Sequence, residues 1–239
     1  MKTLLLGGAA AVALTSGSYA TIEHLTLSAL GAHGTAQRAV HAPPKGTATL
    51  YDQNIGDTGY GFFSQAMSSY PQYDEYLADD FVVPDGHTWK VSGVDVSGFY
   101  YIESGPATSV NVIVWNDNKQ NKGWPDKNSK VAECDNLIPV SGLDTGVFQI
   151  KLDSKTCPVS LPAGRYWLTV QANMTGPFLS GYWAWTANST VANDTSAGWW
   201  YGGGMVTKDP KCLQRFRPLS LCTGSNLDLA FALLGKDSH

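Results

Sequence analysis

The 239-residue chain has no apolar run of the length that a transmembrane helix needs. Its first apolar stretch, from Leu4 to Leu14, is far shorter than the ~20 residues that cross a bilayer. Lysine and arginine are scattered along a chain of formal net charge -4, so the basic surface typical of nucleic-acid binding is missing. We therefore expect neither a membrane span nor a nucleic-acid partner.

Histidine is scarce in the part of the chain predicted to fold. His24, His33 and His41 lie near the N-terminus and His239 is the last residue, which leaves His87 in the turn-like sequence PDGHTW. The sequence contains neither an H-E-x-x-H nor a G-x-S-x-G motif. We expect no multi-histidine metal site within the fold and no serine hydrolase, and we interpret His87 as a polar turn residue in solvent.

The N-terminus has the layout of a secretory signal peptide. Lys2 precedes the apolar stretch, and small residues lead to Ala20, which favours cleavage after Ala20 and a secreted, extracellular protein. Residues 21–46 show weak periodicity and end in HAPPKG, so we interpret them as a linker or propeptide; an N-terminal arm packed on the domain is the alternative. The predicted division is a signal peptide (1–20), a linker or propeptide (21–46), a β-domain (47–235) and a C-terminal tail (236–239).

Four cysteines make an even set without any C-x-x-C spacing. In an exported chain this favours disulfide bonds over a zinc site. Of the three possible connectivities we favour Cys134 with Cys157 and Cys212 with Cys222, because each pair closes a short loop beside a predicted strand.

From residue 47 onward, short segments of alternating apolar and polar residues are separated by Gly, Pro, Asn and Asp. The segment 110–115, VNVIVW, places its valines on one face and Asn111, Ile113 and Trp115 on the other. A period of two is typical of half-buried antiparallel strands, so the sequence predicts an all-β fold, an antiparallel two-sheet β-sandwich. Strands are predicted at 47–51, 80–83, 90–101, 110–115, 130–134, 147–152, 164–174, 181–185 and 226–234. The segment 115–128, rich in turn formers, is predicted to be a long exposed hairpin loop.

The run YDEYLADDFVVP, residues 73–84, carries four carboxylates: Asp74, Glu75, Asp79 and Asp80. Calcium takes six to eight oxygen ligands from irregular backbone, so these residues, with Asp228 as a further ligand, form a candidate calcium site. The run has no EF-hand spacing. The alternative is that the acids solvate the loop and cap strand ends.

Paired carboxylates are also the catalytic groups of glycoside hydrolases. The candidates are Asp79, Asp80, Asp95 and Glu103. Neighbouring residues of a strand point to opposite faces, so Asp79 and Asp80 are poorly placed to act together. A hydrolase would use one of them with Glu103; we assign no catalytic residue.

Aromatic residues near the end of the chain favour ligand binding. Flat aromatic rings are common platforms for sugars, and amides such as Asn188 and Asn193 bond hydroxyl groups. The alternative is that most of these tryptophans belong to the core. The candidate contact residues are Trp183, Trp185, Trp199, Trp200 and Tyr201.

Several segments occur in an order that resembles a known group of proteins. LADDFVVPDGHTW, SVNVIVW, LPAGRYWLTVQANM, GYWAWT and NLDLAFALLG are similar to segments of β-sandwich, jelly-roll-like modules of secreted bacterial proteins. The resemblance implies a jelly-roll-like sandwich in which ADDF begins the first long strand. It implies no catalytic residue.

The sequence thus predicts a secreted, non-catalytic binding module whose partner is an extracellular glycan or cell-wall polymer. One alternative is a carboxylate-dependent hydrolase. Another is a structural or adhesion protein that binds a surface protein through the loop at 115–128.

Overall fold

The computed structural model describes residues 32–33, 42–101, 105–120, 124–175, 182–201 and 215–239. These residues form strands in two sheets, with one 3-10 helix (Pro71–Tyr73) and one short α-helix, α1 (Leu219–Thr223). No helix in these ranges is long and apolar enough to span a membrane. The strands are β1 (Ala32–His33), β2 (Ala48–Asp52), β3 (Tyr60–Phe63), β4 (Gln65–Met67), β5 (Glu75–Val96), β6 (Gly98–Tyr101), β7 (Ser109–Asp117), β8 (Pro125–Leu137), β9 (Phe148–Lys151), β10 (Val159–Met174), β11 (Tyr182–Asn188), β12 (Gly198–Tyr201), β13 (Arg217–Pro218), β14 (Asp228–Leu229) and β15 (Phe231–Ser238).

The larger sheet has the order β13-β12-β5-β4-β10-β7-β8. Its longest strand, β5, has 22 residues and pairs antiparallel with β10 and β12. The second half of β5 also pairs with β9 and β15, and β15 pairs in turn with β2. β5 is therefore the strand on which most of the larger sheet is assembled.

The smaller sheet has the order β1-β3-β11-β14, and β6 also pairs with β11. Aromatic side chains from the two sheets meet in the core between them. Trp183 of β11 stacks on Phe148 of β9 with ring centroids 4.9 Å apart, and Trp185 meets Phe231 of β15 edge-on at 6.2 Å. The predicted all-β sandwich is therefore confirmed.

Alternation along β7 separates this core from a second apolar cluster. The valines of 110–115 share one face, as predicted, and that face lies in the core between the sheets. Ile113 and Trp115 point to the opposite face, where they pack with Trp167 and Phe216. The larger sheet is therefore buried on much of both faces, and the second cluster lies on its outer face.

Several predicted boundaries are corrected by the structure. The predicted strands at 80–83 and 90–101 are parts of one longer strand, β5, followed by β6. β7 and β8 extend into the predicted loop 115–128, which leaves residues 118–124 between them. The predicted tail 236–239 is largely the end of β15, which pairs with β5 up to Ser238 opposite Thr88.

Within the predicted linker 21–46, Ala32–His33 pairs with β3. This short stretch agrees with the alternative of an arm packed on the domain. The predicted signal peptide and most of the linker lie outside the described residues.

One predicted disulfide bond is confirmed, between Cys134 of β8 and Cys157. Cys222 of α1 is also disulfide-bonded. Its predicted partner, Cys212, lies outside the described residues.

Candidate functional site

Three of the predicted contact residues are core residues. Trp183, Trp185 and Trp199 each have 0 % exposure. The indole N–H groups of Trp183 and Trp185 donate to the backbone carbonyls of Gly146 and Ala230, both at 2.9 Å. These rings fill the space between the sheets, so the prediction that they contact a surface ligand is corrected.

Trp200 is different, because its side chain lies on the outer face of the larger sheet and is half-buried. It stacks on Tyr76 of β5 with ring centroids 5.1 Å apart. Phe216 meets it edge-on at 5.7 Å, and the ammonium group of Lys127 lies 5.4 Å from its ring centroid. The side chain of Tyr201 lies outside the described part of the structure.

We call this outer-face group the aromatic patch. Its two partly exposed members are Tyr76 and Trp200, which pack against buried rings. Its residues are Tyr76, Trp115, Trp167, Trp200 and Phe216.

Hydrogen bonds hold the buried members of the patch in place. The indole N–H of Trp115 donates to Thr169 Oγ1, and that of Trp167 donates to Asp117 Oδ1, both at 2.9 Å. An indole with a bonded N–H and close neighbours has one orientation. The buried rings therefore form a fixed floor beneath Tyr76 and Trp200.

Tyr76 adds a polar group, its phenol, to the aromatic patch. Burial raises the pKa of the Tyr76 phenol, the carboxylates of Asp74, Glu133 and Asp135 raise it further, and a hydrogen bond with Gln171 opposes them. The phenol is therefore neutral at physiological pH and is able to donate a hydrogen bond.

Two asparagine side chains, on β7 and β10, lie further along the same strands as Trp115 and Trp167. Asn111 and Asn173 exchange side-chain hydrogen bonds at 2.9 and 2.8 Å, and Asn173 also donates to Ser109 Oγ at 2.8 Å. By strand alternation these side chains lie on the same face as Trp115. The outer face thus combines aromatic rings with amide and hydroxyl groups.

The four acids of the run 73–84 do not converge on one point. Asp74 Oδ1 accepts a hydrogen bond from the backbone N–H of Met67 at 2.8 Å, and Glu75 is buried with a pKa raised by that burial. Asp79 and Asp80 lie on opposite faces of β5, as the sequence predicts. Among the described residues, these four carboxylates form no group of three with ligand atoms close enough for one ion.

Asp79 lies on the core face of β5 with both of its oxygens in hydrogen bonds. Oδ2 accepts from Gln53 Nε2 and from the backbone N–H of Leu229, each at 2.6 Å, and Oδ1 accepts from the backbone N–H of Asp80 at 2.9 Å. Burial raises its pKa well above the ordinary range, and the charge of Asp228 raises it further.

Asp80, on the other face, forms a salt bridge with Arg165 of β10. The same guanidinium donates to the backbone carbonyl of Asn193 at 3.1 Å and to Thr195 Oγ1 at 3.0 Å. Burial raises the pKa of Asp80 to about 7, although the positive charge of Arg165 opposes this shift.

Asp228 completes a buried group that we call the carboxylate centre, which consists of Asp79, Asp80, Asp228 and Arg165. Asp228 Oδ2 accepts from the backbone N–H of Ala192 at 2.6 Å, and burial raises the pKa of Asp228 to about 7. These contacts join β5, β10, β14 and the loop that precedes β12. We therefore interpret the carboxylate centre as a structural group that holds these strands and this loop together.

Other predicted residues also have internal roles. Asn188 accepts from the backbone N–H of Gly56 at 2.6 Å and donates to the carbonyl of Gln53 at 2.5 Å, so it is not available to a surface ligand. Asn193 donates to the hydroxyl of Tyr51 at 3.1 Å. Asp95 is buried in β5, and Glu103 lies outside the described residues.

Two of the histidines are neighbours, although the sequence predicts His239 to lie in a tail outside the domain. His87 Nδ1 lies 2.7 Å from Asp237 Oδ2, and the ring centroids of His87 and His239 are 4.3 Å apart. The sequence gives no local signal for this group, because pairing of β15 with β5 brings together residues 150 positions apart.

The chain matches no protein-family model and no curated protein. Function is therefore inferred from the geometry of the described residues.

Proposed function

We propose that the protein is an exported binding module that holds a glycan or cell-wall polymer on the aromatic patch without cleaving it. The observation that carries this proposal is the stacked, half-exposed pair of Tyr76 and Trp200 on the outer face of the larger sheet. The export signal at the N-terminus is consistent with an extracellular ligand.

A pair of aromatic rings suits a sugar because the C–H faces of a pyranose pack against flat apolar surfaces, while its hydroxyl groups need polar partners. The patch supplies both. Tyr76 has a phenol, Lys127 has an exposed ammonium group beside Trp200, and Asn111 and Asn173 bear amides on the same face. A polymer lying along this face would contact rings first and amides next.

The placement of the acids supports binding rather than hydrolysis. A general acid or nucleophile must reach the bond that it cleaves. Asp79 is fully buried and accepts three hydrogen bonds, and Asp80 is buried in a salt bridge with Arg165. Asp80 lies on the same outer face as the patch, opposite Trp167 in the strand register, but it is 1 % exposed, so neither carboxyl reaches a bond of a ligand on this face.

The proposal is tested by depletion of the protein from solution by a panel of insoluble polysaccharides. We expect at least one polymer to deplete the parent protein and the Tyr76→Ala/Trp200→Ala variant to lose at least tenfold in affinity. The matched control is Tyr60→Ala, which removes a 42 % exposed tyrosine from β3 in the other sheet and is expected to bind as the parent does.

Folding of each variant is checked by near-ultraviolet circular dichroism. If the double variant does not fold, Lys127→Glu is the substitute, because Lys127 is exposed and its replacement removes no core contact; weaker binding is again expected. Depletion by no polymer, or equal depletion of the parent and the patch variant, would overturn the proposal. Release of reducing sugar in the same samples would point to the hydrolase alternative.

A further inference from the structure

The last residues of the chain meet the middle of β5. β15 runs antiparallel to β5 with Asp237 opposite Trp89 and Ser238 opposite Thr88. Ser238 Oγ also donates to the carbonyl of Thr88 at 3.1 Å. Continuing this register by one residue places His239 opposite His87.

Strand geometry explains why three ligating side chains gather here. Residues two apart on a strand point to the same side, so Asp237 and His239 share one side of β15, and His87 lies across from them. One ligand atom from each of the three residues lies within 4.8 Å of the others. Among the described residues, these three form the group of His, Cys, Asp or Glu side chains whose ligand atoms are close enough together to hold one metal ion.

We propose that His87, Asp237 and His239 bind a divalent transition-metal ion of the zinc class. Two imidazole nitrogens and one carboxylate oxygen are a donor set that suits zinc, whereas calcium and magnesium prefer oxygen ligands alone. The side chains of His87 and Asp237 are 28 % and 32 % exposed, so an ion can enter from solvent and keep water as a further ligand.

The spacing of the ligands fits a tetrahedral ion after small side-chain movements. Bonds of about 2.0 Å in a tetrahedron place ligand atoms about 3.3 Å apart. The 2.7 Å contact between His87 Nδ1 and Asp237 Oδ2 would open by about 0.6 Å to reach this spacing, and His239 would move inward. All three side chains are partly or fully exposed, so rotation is not opposed by core packing.

A bound ion would link the end of β15 to β5. The backbone pairs described for β15 end at Ser238, and strand ends fray readily. An ion that binds only the folded state stabilises it. Metal binding would therefore keep the last residues of β15 paired with β5. This function is separate from the aromatic patch and does not depend on glycan binding.

The test is titration of the full-length, metal-free chain with zinc chloride by isothermal calorimetry. We expect one saturable zinc per chain, and at least a tenfold loss of affinity in His87→Ala and in His239→Ala. Two controls are expected to keep the site: Asp85→Asn, which removes an exposed charge from the same region of β5, and a chain in which His24, His33 and His41 are alanine.

Thermal unfolding gives a second readout. Zinc is expected to raise the melting temperature of the parent and to leave that of His239→Ala unchanged, while magnesium and calcium chlorides leave both unchanged. His239 lies beyond the last described backbone pair, so its replacement leaves the strand ladder intact. Absence of a saturable site in the parent, or zinc binding by His87→Ala and His239→Ala equal to that of the parent, would overturn the proposal.

Discussion

Asp79 accepts a 2.6 Å hydrogen bond from the backbone N–H of Leu229, and this contact joins the two sheets of the sandwich. Asp79 belongs to β5 in the larger sheet and Leu229 to β14 in the smaller one. The aspartate lies on the same face of β5 as Leu77 and Phe81, which are core residues. A buried carboxyl is tolerated only when it has partners, so the position of β14 depends on a polar contact within an apolar core.

The carboxylate centre predicts that stability decreases as the pH rises. Burial raises the pKa values of Asp80 and Asp228 to about 7, from about 4 in an unfolded chain. Between these values the folded state binds more protons than the unfolded state, so the free energy of unfolding falls with increasing pH. We expect urea denaturation to show a loss on the order of a few kcal/mol between pH 5 and pH 8, since one pKa unit corresponds to about 1.4 kcal/mol.

The Asp228→Asn variant isolates this contribution. It keeps an oxygen that accepts the hydrogen bond from Ala192, but removes a group whose ionisation is unfavourable and whose charge raises the pKa values of Asp79 and Asp80. We expect its stability to change less between pH 5 and pH 8. The exposed Asp85→Asn is the control and should keep the parent's pH dependence; an unchanged slope in Asp228→Asn would contradict the assignment.

Arg165→Met is expected to destabilise the protein more at pH 8 than at pH 5. The guanidinium lowers the pKa of Asp80, so without it the carboxyl remains protonated to higher pH. At pH 5 a neutral Asp80 would need no counter-charge, whereas at pH 8 the fold would have to bury an unpaired charge or hold the proton. Breaking a fully buried ion pair costs ~3 to 5 kcal/mol, and the loss here is expected to be smaller because the Arg165 side chain is 30 % exposed.

Denaturation curves of parent and Arg165→Met at the two pH values measure this difference. The double variant Asp80→Asn/Arg165→Met removes both charges and also the titration of Asp80, so its loss relative to the parent is expected to be smaller at pH 8 than at pH 5. A loss in Arg165→Met that is equal at pH 5 and pH 8 would show that the salt bridge with Asp80 does not set the stability.

Local sequence pattern predicted the strands but not which faces are buried. The alternation in 110–115 placed the three valines together on one face, which the structure shows to be the inner one. It could not show that Ile113 and Trp115 are also buried, because a second cluster covers the outer face. Likewise β11, residues Tyr182–Asn188, is buried at every position, so the pattern could not separate core tryptophans from surface ones.

The remaining errors of the sequence-based prediction concern residues whose strand partners are distant in the chain. The sequence PDGHTW, with its proline and glycine, has the composition of a turn, yet it lies within β5, and β10 pairs with β5 on both sides of a register shift between Pro162 and Gly164. The same sheet brings β15 beside His87. Neither contact can be predicted from a short segment of sequence, because the partners are far apart in the chain.

Gly98 allows Trp183 to pack closely, and Gly98→Ala is expected to destabilise the protein by ~1 to 3 kcal/mol. A Cβ atom at position 98 would lie 2.5 Å from Trp183 Cζ2. The ring cannot move away easily, since it stacks on Phe148 and donates a hydrogen bond to Gly146. Thermal or urea unfolding measures the change.

Gly93→Ala is the matched control for this prediction. Gly93 also lies in a strand, β5 of the larger sheet, but a Cβ atom there would come no closer than 3.4 Å to its neighbours. We expect a smaller effect at position 93 than at position 98. Equal effects would mean that general loss of glycine, rather than contact with Trp183, determines the result.

Removal of the disulfide bond between Cys134 and Cys157 is expected to lower the free energy of unfolding by ~2 to 4 kcal/mol. The bond spans 23 residues, and the cost of closing a loop of that size in the unfolded chain is about 3 kcal/mol. Because Cys222 is also disulfide-bonded, a reducing agent would act on both bonds, so substitution is the cleaner test.

Urea denaturation of Cys134→Ala/Cys157→Ala measures the loss, and Cys157→Ala alone, which breaks the same bond, should lose a similar amount. A double variant within about 0.5 kcal/mol of the parent would contradict a stabilising role, since both cysteines are buried and lost packing alone would add to the deficit.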